Sequence, residues 1–71
     1  MEKHLLLWSY NENLKCLEAS GSGASYKIFE KHENKYCTQR VELNGGILIL
    51  GRFSNIGESI KICNWDLNNL I

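Results

Sequence analysis

Three cysteines at positions 16, 37 and 63, two histidines at 4 and 32 and the scattered glutamates are the residues that can act as nucleophiles, acids, bases or metal ligands. Catalysis needs such a group held by a partner, plus a second group that polarises the substrate. No local motif joins Cys16, Cys37, Cys63, His4 or His32 to a base or an orienting residue. A structural zinc site usually starts from ligands two or three residues apart, which close a chelate before the fold supplies the rest. The closest pair is His32 and Cys37, across an expected hairpin turn, and no second short pair completes a tetrahedron. Each cysteine alternates with apolar neighbours, the habit of a core residue. The odd cysteine count and wide spacing make no disulfide framework. No catalytic, metal-binding or cofactor-binding residue is assigned: the chain reads as a non-enzyme with reduced thiols and no cofactor.

The stretch "ASGSGASY" at 19–26 is the other place where chemistry could reside, because glycine loops cradle phosphates. It precedes an expected strand rather than a helix and has neither the Walker lysine–serine pair nor GxGxxG spacing. It is read as a flexible hairpin loop.

Lys27, Lys31, His32, Lys35 and Arg40 fall on one expected hairpin with Tyr26, Phe29 and Tyr36 among them. Basic residues interleaved with aromatics are the ingredients of a stacking platform for single-stranded nucleic acid, with Lys27, Lys31, Lys35 and Arg40 as its candidate contacts. Glu30, Glu33 and Glu42 cancel most of that charge, and the whole chain balances eight Lys+Arg against eight Asp+Glu. No long-range field therefore recruits nucleic acid or an anionic membrane. The leading reading is a small protein-binding module, an inhibitor or adaptor, with nucleic-acid binding by the 26–40 hairpin as the alternative. Interface energy concentrates in Trp, Tyr and Arg. The candidate contacts are thus Trp8, Tyr10, Tyr26, Tyr36, Arg52 and Trp65, some of which a chain this short must spend on its core.

"NIGESIKI" at 55–62 resembles the second conserved segment of the Sm-like RNA-binding family, where a loop glycine joins the last two strands ahead of a short apolar strand. The first Sm segment, with its RNA-contacting aspartate and asparagine, has no counterpart in 25–46, so the resemblance implies no RNA contact. Eight Asn, seven Ile and six Lys with no Pro suggest AT-rich coding of the phage or mobile-element type.

The elements that must position these residues are short. Seventy-one residues give one domain, since the pieces flanking the glycine run would be too small to fold separately. The apolar run at 5–8 is shorter than a signal-peptide core or a membrane span, so a cytoplasmic protein is expected. Strand-forming runs recur about every ten residues between Asn, Gly and Ser clusters, which predicts an antiparallel meander, mostly β. Strands are placed at 4–10, 14–19, 25–33, 36–44 and 47–53, giving five to six in an open sheet or a small barrel. A two-residue turn at Gly45–Gly46 would set Leu43 opposite Leu48 and Val41 opposite Leu50. Residues 47–50, apolar on both faces, read as a central strand, and the charged 25–33 segment as an edge with a bulge near Ile28–Phe29. In 55–71, Ile56, Ile60, Cys63, Leu67 and Leu70 keep helical spacing and Asn55 with Glu58 resembles a capping box. The Ile60-Lys61-Ile62 alternation and the asparagines favour a strand followed by a terminal turn, so strand and short helix both stand. Open edges and zero net charge predict a two-fold homodimer.

Overall fold

Each reversal of the chain falls where a residue adopts positive φ: Lys15 (55°), Gly23 (78°), Asn34 (61°) and Gly45 (89°). Four such reversals fold the computed structural model, which describes residues 6–21, 23–32 and 34–70, into a five-stranded antiparallel meander. The strands β1 (Ser9–Asn11), β2 (Cys16–Gly21), β3 (Ala24–His32), β4 (Lys35–Glu42) and β5 (Ile47–Phe53) lie side by side in chain order, and helix α1 (Ile56–Leu70) follows. The sheet is open: β1 and β5 are its two edges, and α1 packs on one face against β3, β4 and β5.

Register assigns the two faces. Ala19, Gly21, Ala24, Tyr26, Ile28, Thr38 and Arg40 look toward α1, whereas Cys16, Glu18, Lys27, Phe29, Cys37, Gln39, Ile47 and Ile49 look away from it. The core lies between sheet and helix. Leu6, Ala19, Ala24, Tyr26 and Ile28 meet Cys63 and Leu67 there, with Leu50, Ile56 and Ile60 packed around them. On the far face only a shallow row is hidden, in which Phe29 separates the buried Cys16 from the buried Cys37. All three cysteines are free thiols.

Most of the small residues expected in a loop belong to the sheet. Ala19 pairs with Tyr26, Ser20 with Ser25 and Gly21 with Ala24, so β2 ends at Gly21 and β3 begins at Ala24. Their size serves the helix. A Cβ on Gly21 would stand 2.8 Å from Leu67 Cδ1 and 3.3 Å from Leu6 Cδ2, so any larger residue there makes the Leu67 side chain shift.

The C-terminal segment is helical, not a strand. Asn55 Oδ1 accepts the Glu58 N–H at 2.9 Å, an N-cap bond, and Ile56, Ile60, Cys63 and Leu67 supply the buried stripe, although Leu70 is exposed. The asparagines that argued against a helix are absorbed by it: Asn68 and Asn69 donate to the carbonyls of Asn64 and Trp65, four residues back, at 2.7 Å each. The helix also removes the Sm-like reading of 55–62, because Gly57 lies in the first helical turn and no strand follows it.

Three register expectations are corrected. The 42–46 turn is a three-residue loop: the Gly45 N–H donates to Glu42 O at 2.9 Å, the Glu42 N–H to Gly46 O at 2.8 Å, and Gly45 is left-handed. Val41 therefore pairs with Ile47 and Arg40 with Leu48, while Leu43 projects from the tip, 89% exposed. The β3–β4 ladder shifts between Glu30 and His32 rather than at Ile28–Phe29, and a second shift adds one residue to β5 between Ile49 and Gly51. Centre and edge are also exchanged, since the charged β3 is the middle strand and the apolar β5 is an edge. Of the residues singled out in the sequence, His4, Leu5, Glu33 and the start of the expected 4–10 strand lie outside the described residues.

Candidate functional site

The polar centre of the molecule joins helix to sheet. Asp66, on the buried side of α1, accepts the Tyr26 hydroxyl at 2.7 Å and the Arg40 guanidinium at 2.9 Å to both carboxylate oxygens. Arg40 reaches outward to Glu42 at 3.0 Å. Burial and then the Asp66 hydrogen bond push the Tyr26 phenol well above its ordinary range, and the bond to Asp66, then that to Glu42, raises Arg40. Burial, then the charge of Asp66, pushes the neighbouring Cys63 thiol up to about 12, the opposite of what a nucleophilic thiolate requires. This centre clamps α1 onto β3 and β4. The hydroxyl of Tyr26, the carboxylate of Asp66 and the guanidinium of Arg40 are spent on one another, and Glu42 alone of the four is largely exposed.

The network also disperses the candidates drawn from sequence. Tyr26 is fully buried and is removed from the contact pool. Arg40, bound to Asp66 and Glu42, is unavailable to a phosphate. Trp8 is half-buried against the core, and its indole N–H finds no partner among the described residues. Tyr10 and Trp65 are exposed, but on β1 and on the outer side of α1, so they share no surface. Lys27 stands opposite Glu18 on the far face.

Lys31, Lys35, Tyr36 and Arg52, drawn from both candidate sets, do come together. With His32, Asn34, Cys37, Phe53 and Ser54 they line an open pocket between the tip of the β3–β4 hairpin and the point where β5 gives way to α1. Among the described residues its lining carries cations and two aromatic rings and no carboxylate. Lys31 Nζ is held 5.3 Å above the Phe29 ring. Glu30, across the ladder from Tyr36, takes the Tyr36 hydroxyl in a hydrogen bond that raises the phenol. His32 and Cys37 meet here without a third ligand: among the described residues no cluster of His, Cys, Asp or Glu is arranged to hold a metal ion.

The second open feature is the β5 edge, which the sequence reading missed by treating this strand as central. Ile47, Leu48 and Ile49 are 63%, 45% and 48% exposed, on both faces of the strand, beside the exposed Leu43. No charged side chain occurs between Leu43 and Gly51. Edge strands are ordinarily blunted by shortness, lysine, proline or a covering loop. The opposite edge has that protection, since β1 is three residues long, whereas β5 has seven. Its one irregularity, the extra residue before Gly51, lies beyond the Ile47–Ile49 stretch. The signal available in sequence was the unbroken apolar run itself, which is compatible with full burial or with an exposed edge.

No protein-family model matches this chain, and no curated protein or solved structure matches it either. Among the described residues no helix is long and apolar enough to cross a membrane.

Proposed function

We propose that this chain is a non-enzymatic protein-binding module, an inhibitor or adaptor, that captures a polypeptide strand along β5. One observation carries the reading: a seven-residue edge whose first three residues, Ile47, Leu48 and Ile49, are apolar and exposed on both faces, in a sheet whose other edge is short. Strand addition draws affinity from main-chain hydrogen bonds and specificity from alternate side chains, and the Ile47–Ile49 stretch offers both. The test compares the wild-type chain with Ile49→Pro as baits in cells. A partner retained by the wild type and lost by the variant, with slow amide exchange at Ile47 and Ile49 in the complex, supports strand addition. Equal capture by both baits overturns it.

The hairpin pocket favours a second reading, nucleic-acid binding, in a narrowed form. With Arg40 tied to Asp66 and Lys27 facing Glu18, the contacts reduce to Lys31, Lys35 and Arg52 with Tyr36 and Phe53 as stacking surfaces. Binding of a single-stranded oligonucleotide that weakens steeply with salt and is lost in Lys31→Glu/Lys35→Glu supports this reading. Salt-independent or absent binding removes it.

A further inference from the structure

We infer that the strand captured by β5 is, in the free protein, β5 of a second copy, paired antiparallel about a two-fold axis through Leu48. This rests on the reading of β5 as a docking edge and names its occupant.

The hairpin sets the phase. The Glu42 N–H bonds Gly46 O, so positions 42 and 46 form a hydrogen-bonded pair. In an antiparallel ladder such pairs alternate with non-hydrogen-bonded ones. Val41–Ile47 is then non-bonded, Arg40–Leu48 bonded and Gln39–Ile49 non-bonded. The backbone N–H and C=O of Leu48 point inward to β4, and those of Ile47 and Ile49 point outward across the open edge.

This pattern is self-complementary in one register. With Leu48 on the axis, Ile47 lies opposite Ile49 of the second copy and Ile49 opposite its Ile47, and each pair exchanges two hydrogen bonds. Centring on Ile47 would place Ile49 opposite Gly45, which is left-handed and outside the strand. Centring on Ile49 would run the pairing into the irregularity before Gly51. Only the Leu48 axis uses all the outward groups of the regular stretch.

Side chains agree. Leu48 meets its symmetry mate on the helix side, and the isoleucines of both copies form one apolar patch on the far side. No charge falls between Leu43 and Gly51, and zero formal net charge leaves no repulsion to overcome. Because β1 has only three residues, the assembly stops at two copies and does not extend into a fibre. A foreign strand reaches β5 by displacing the second copy.

Sedimentation equilibrium across the micromolar range is expected to show a dimer of twice 8.2 kDa, and Ile49→Pro to give a monomer that keeps its fold. Proline is tolerated there because the N–H it removes points off the sheet. Leu48→Cys reports the register even if the proline variant fails to fold. Opposed Cα atoms of a non-hydrogen-bonded pair lie about 4.5 Å apart, within disulfide reach, so mild oxidation is expected to yield a covalent dimer. Leu43→Cys, more exposed, is expected not to cross-link, since in this register the two copies of position 43 are roughly 30 Å apart. A monomer at all concentrations, or a dimer in which Leu43→Cys links and Leu48→Cys does not, overturns the inference. A monomer that still captures a foreign strand through β5 overturns the inference and leaves the proposed function standing. Fast exchange at Ile47 and Ile49 under every condition sinks both.

Discussion

Removing the Asp66 carboxylate is expected to cost more than any other single polar change in the molecule. Asp66 accepts from Tyr26 and from Arg40, and the Arg40 and Asp66 side chains are 14% and 11% exposed. Breaking a buried ion pair by deleting one partner typically costs about 3–5 kcal/mol. Some water reaches this pair, so the lower end applies, about 3 kcal/mol for Asp66→Ala. Tyr26→Phe removes one hydroxyl donor and leaves the ion pair, which costs about 1–1.5 kcal/mol. Glu42→Gln touches only the exposed arm of Arg40 and costs less than about 0.5 kcal/mol. A domain of this length holds roughly 4–10 kcal/mol in all, so Asp66→Ala alone consumes a large part of its stability. Urea unfolding reads the series: with a slope of about 1 kcal/mol per molar, the midpoints fall by about 3 M, 1 M and under 0.5 M. Joint replacement by Tyr26→Phe, Arg40→Met and Asp66→Leu is expected to recover most of the loss, because neither a buried charge nor a buried hydroxyl is left unpaired. An Asp66→Ala midpoint no lower than that of Tyr26→Phe would refute the view that this carboxylate clamps the helix to the sheet.

Three further outcomes are expected. The Thr38 hydroxyl is fully buried without a hydrogen-bond partner among the described residues, so Thr38→Val is expected to stabilise by about 1 kcal/mol, and a lower thermal midpoint would contradict this. Asn55→Ala removes the N-cap bond and is expected to cost about 1 kcal/mol by denaturation, with fraying of the first turn seen as faster amide exchange at Glu58. Alkaline pH is expected to destabilise the fold. The Cys63 thiol moves from an ordinary 9.0 to about 12, so its stabilising contribution is whole below pH 9 and is lost as pH rises toward 12, while the unfolded chain releases its proton. Urea midpoints measured from pH 8 to 11 should fall, and fall less in Cys63→Ala; parallel profiles would exclude this thiol as a source.

The meander was legible in sequence because its punctuation is local. Asn, Gly and Ser clusters mark the places where the chain must reverse, and alternation marks what lies between them. Which strand is central was not legible, because an apolar run such as Ile47–Leu50 looks the same whether another layer covers it or nothing does. The helix was obscured for a related reason. Asparagine is a poor helix former on average, but here Asn55 caps, Asn68 and Asn69 bond back along the helix, and the Asn64 side chain accepts the Leu6 N–H at 3.3 Å. Propensity counts residue types, whereas the fold uses each asparagine at one position. The basic hairpin misled in the same way: Arg40 looked like a surface cation until Asp66, 26 residues later, arrived to pair with it.

The closed core and the exposed corners of the helix-side face follow from the path of α1. Fifteen residues of helix are about 22 Å long and about 10 Å wide, whereas five strands spaced about 4.8 Å apart need roughly 19 Å of cover between their outer axes alone. A single helix can bridge that sheet only by crossing it. From Ile56 beside the end of β5, α1 reaches Arg40 and Tyr26 through Asp66, and Gly21 and Leu6 through Leu67. Two corners are left off the diagonal. One holds Leu43 and Leu48 at the start of β5, and the other holds Tyr10 and Leu14 around the β1–β2 turn; all four side chains are exposed. At the β1 corner the paired strand is three residues long and the Leu14 N–H is taken by Asn11 Oδ1 at 3.0 Å, so little backbone is on offer. At the β5 corner the backbone of Ile47 and Ile49 is on offer together with its side chains. A longer crossing would cover Leu48 but not Ile47 and Ile49, which face away from α1 and present their backbone groups in the plane of the sheet, so the β5 edge is the place where this sheet can continue.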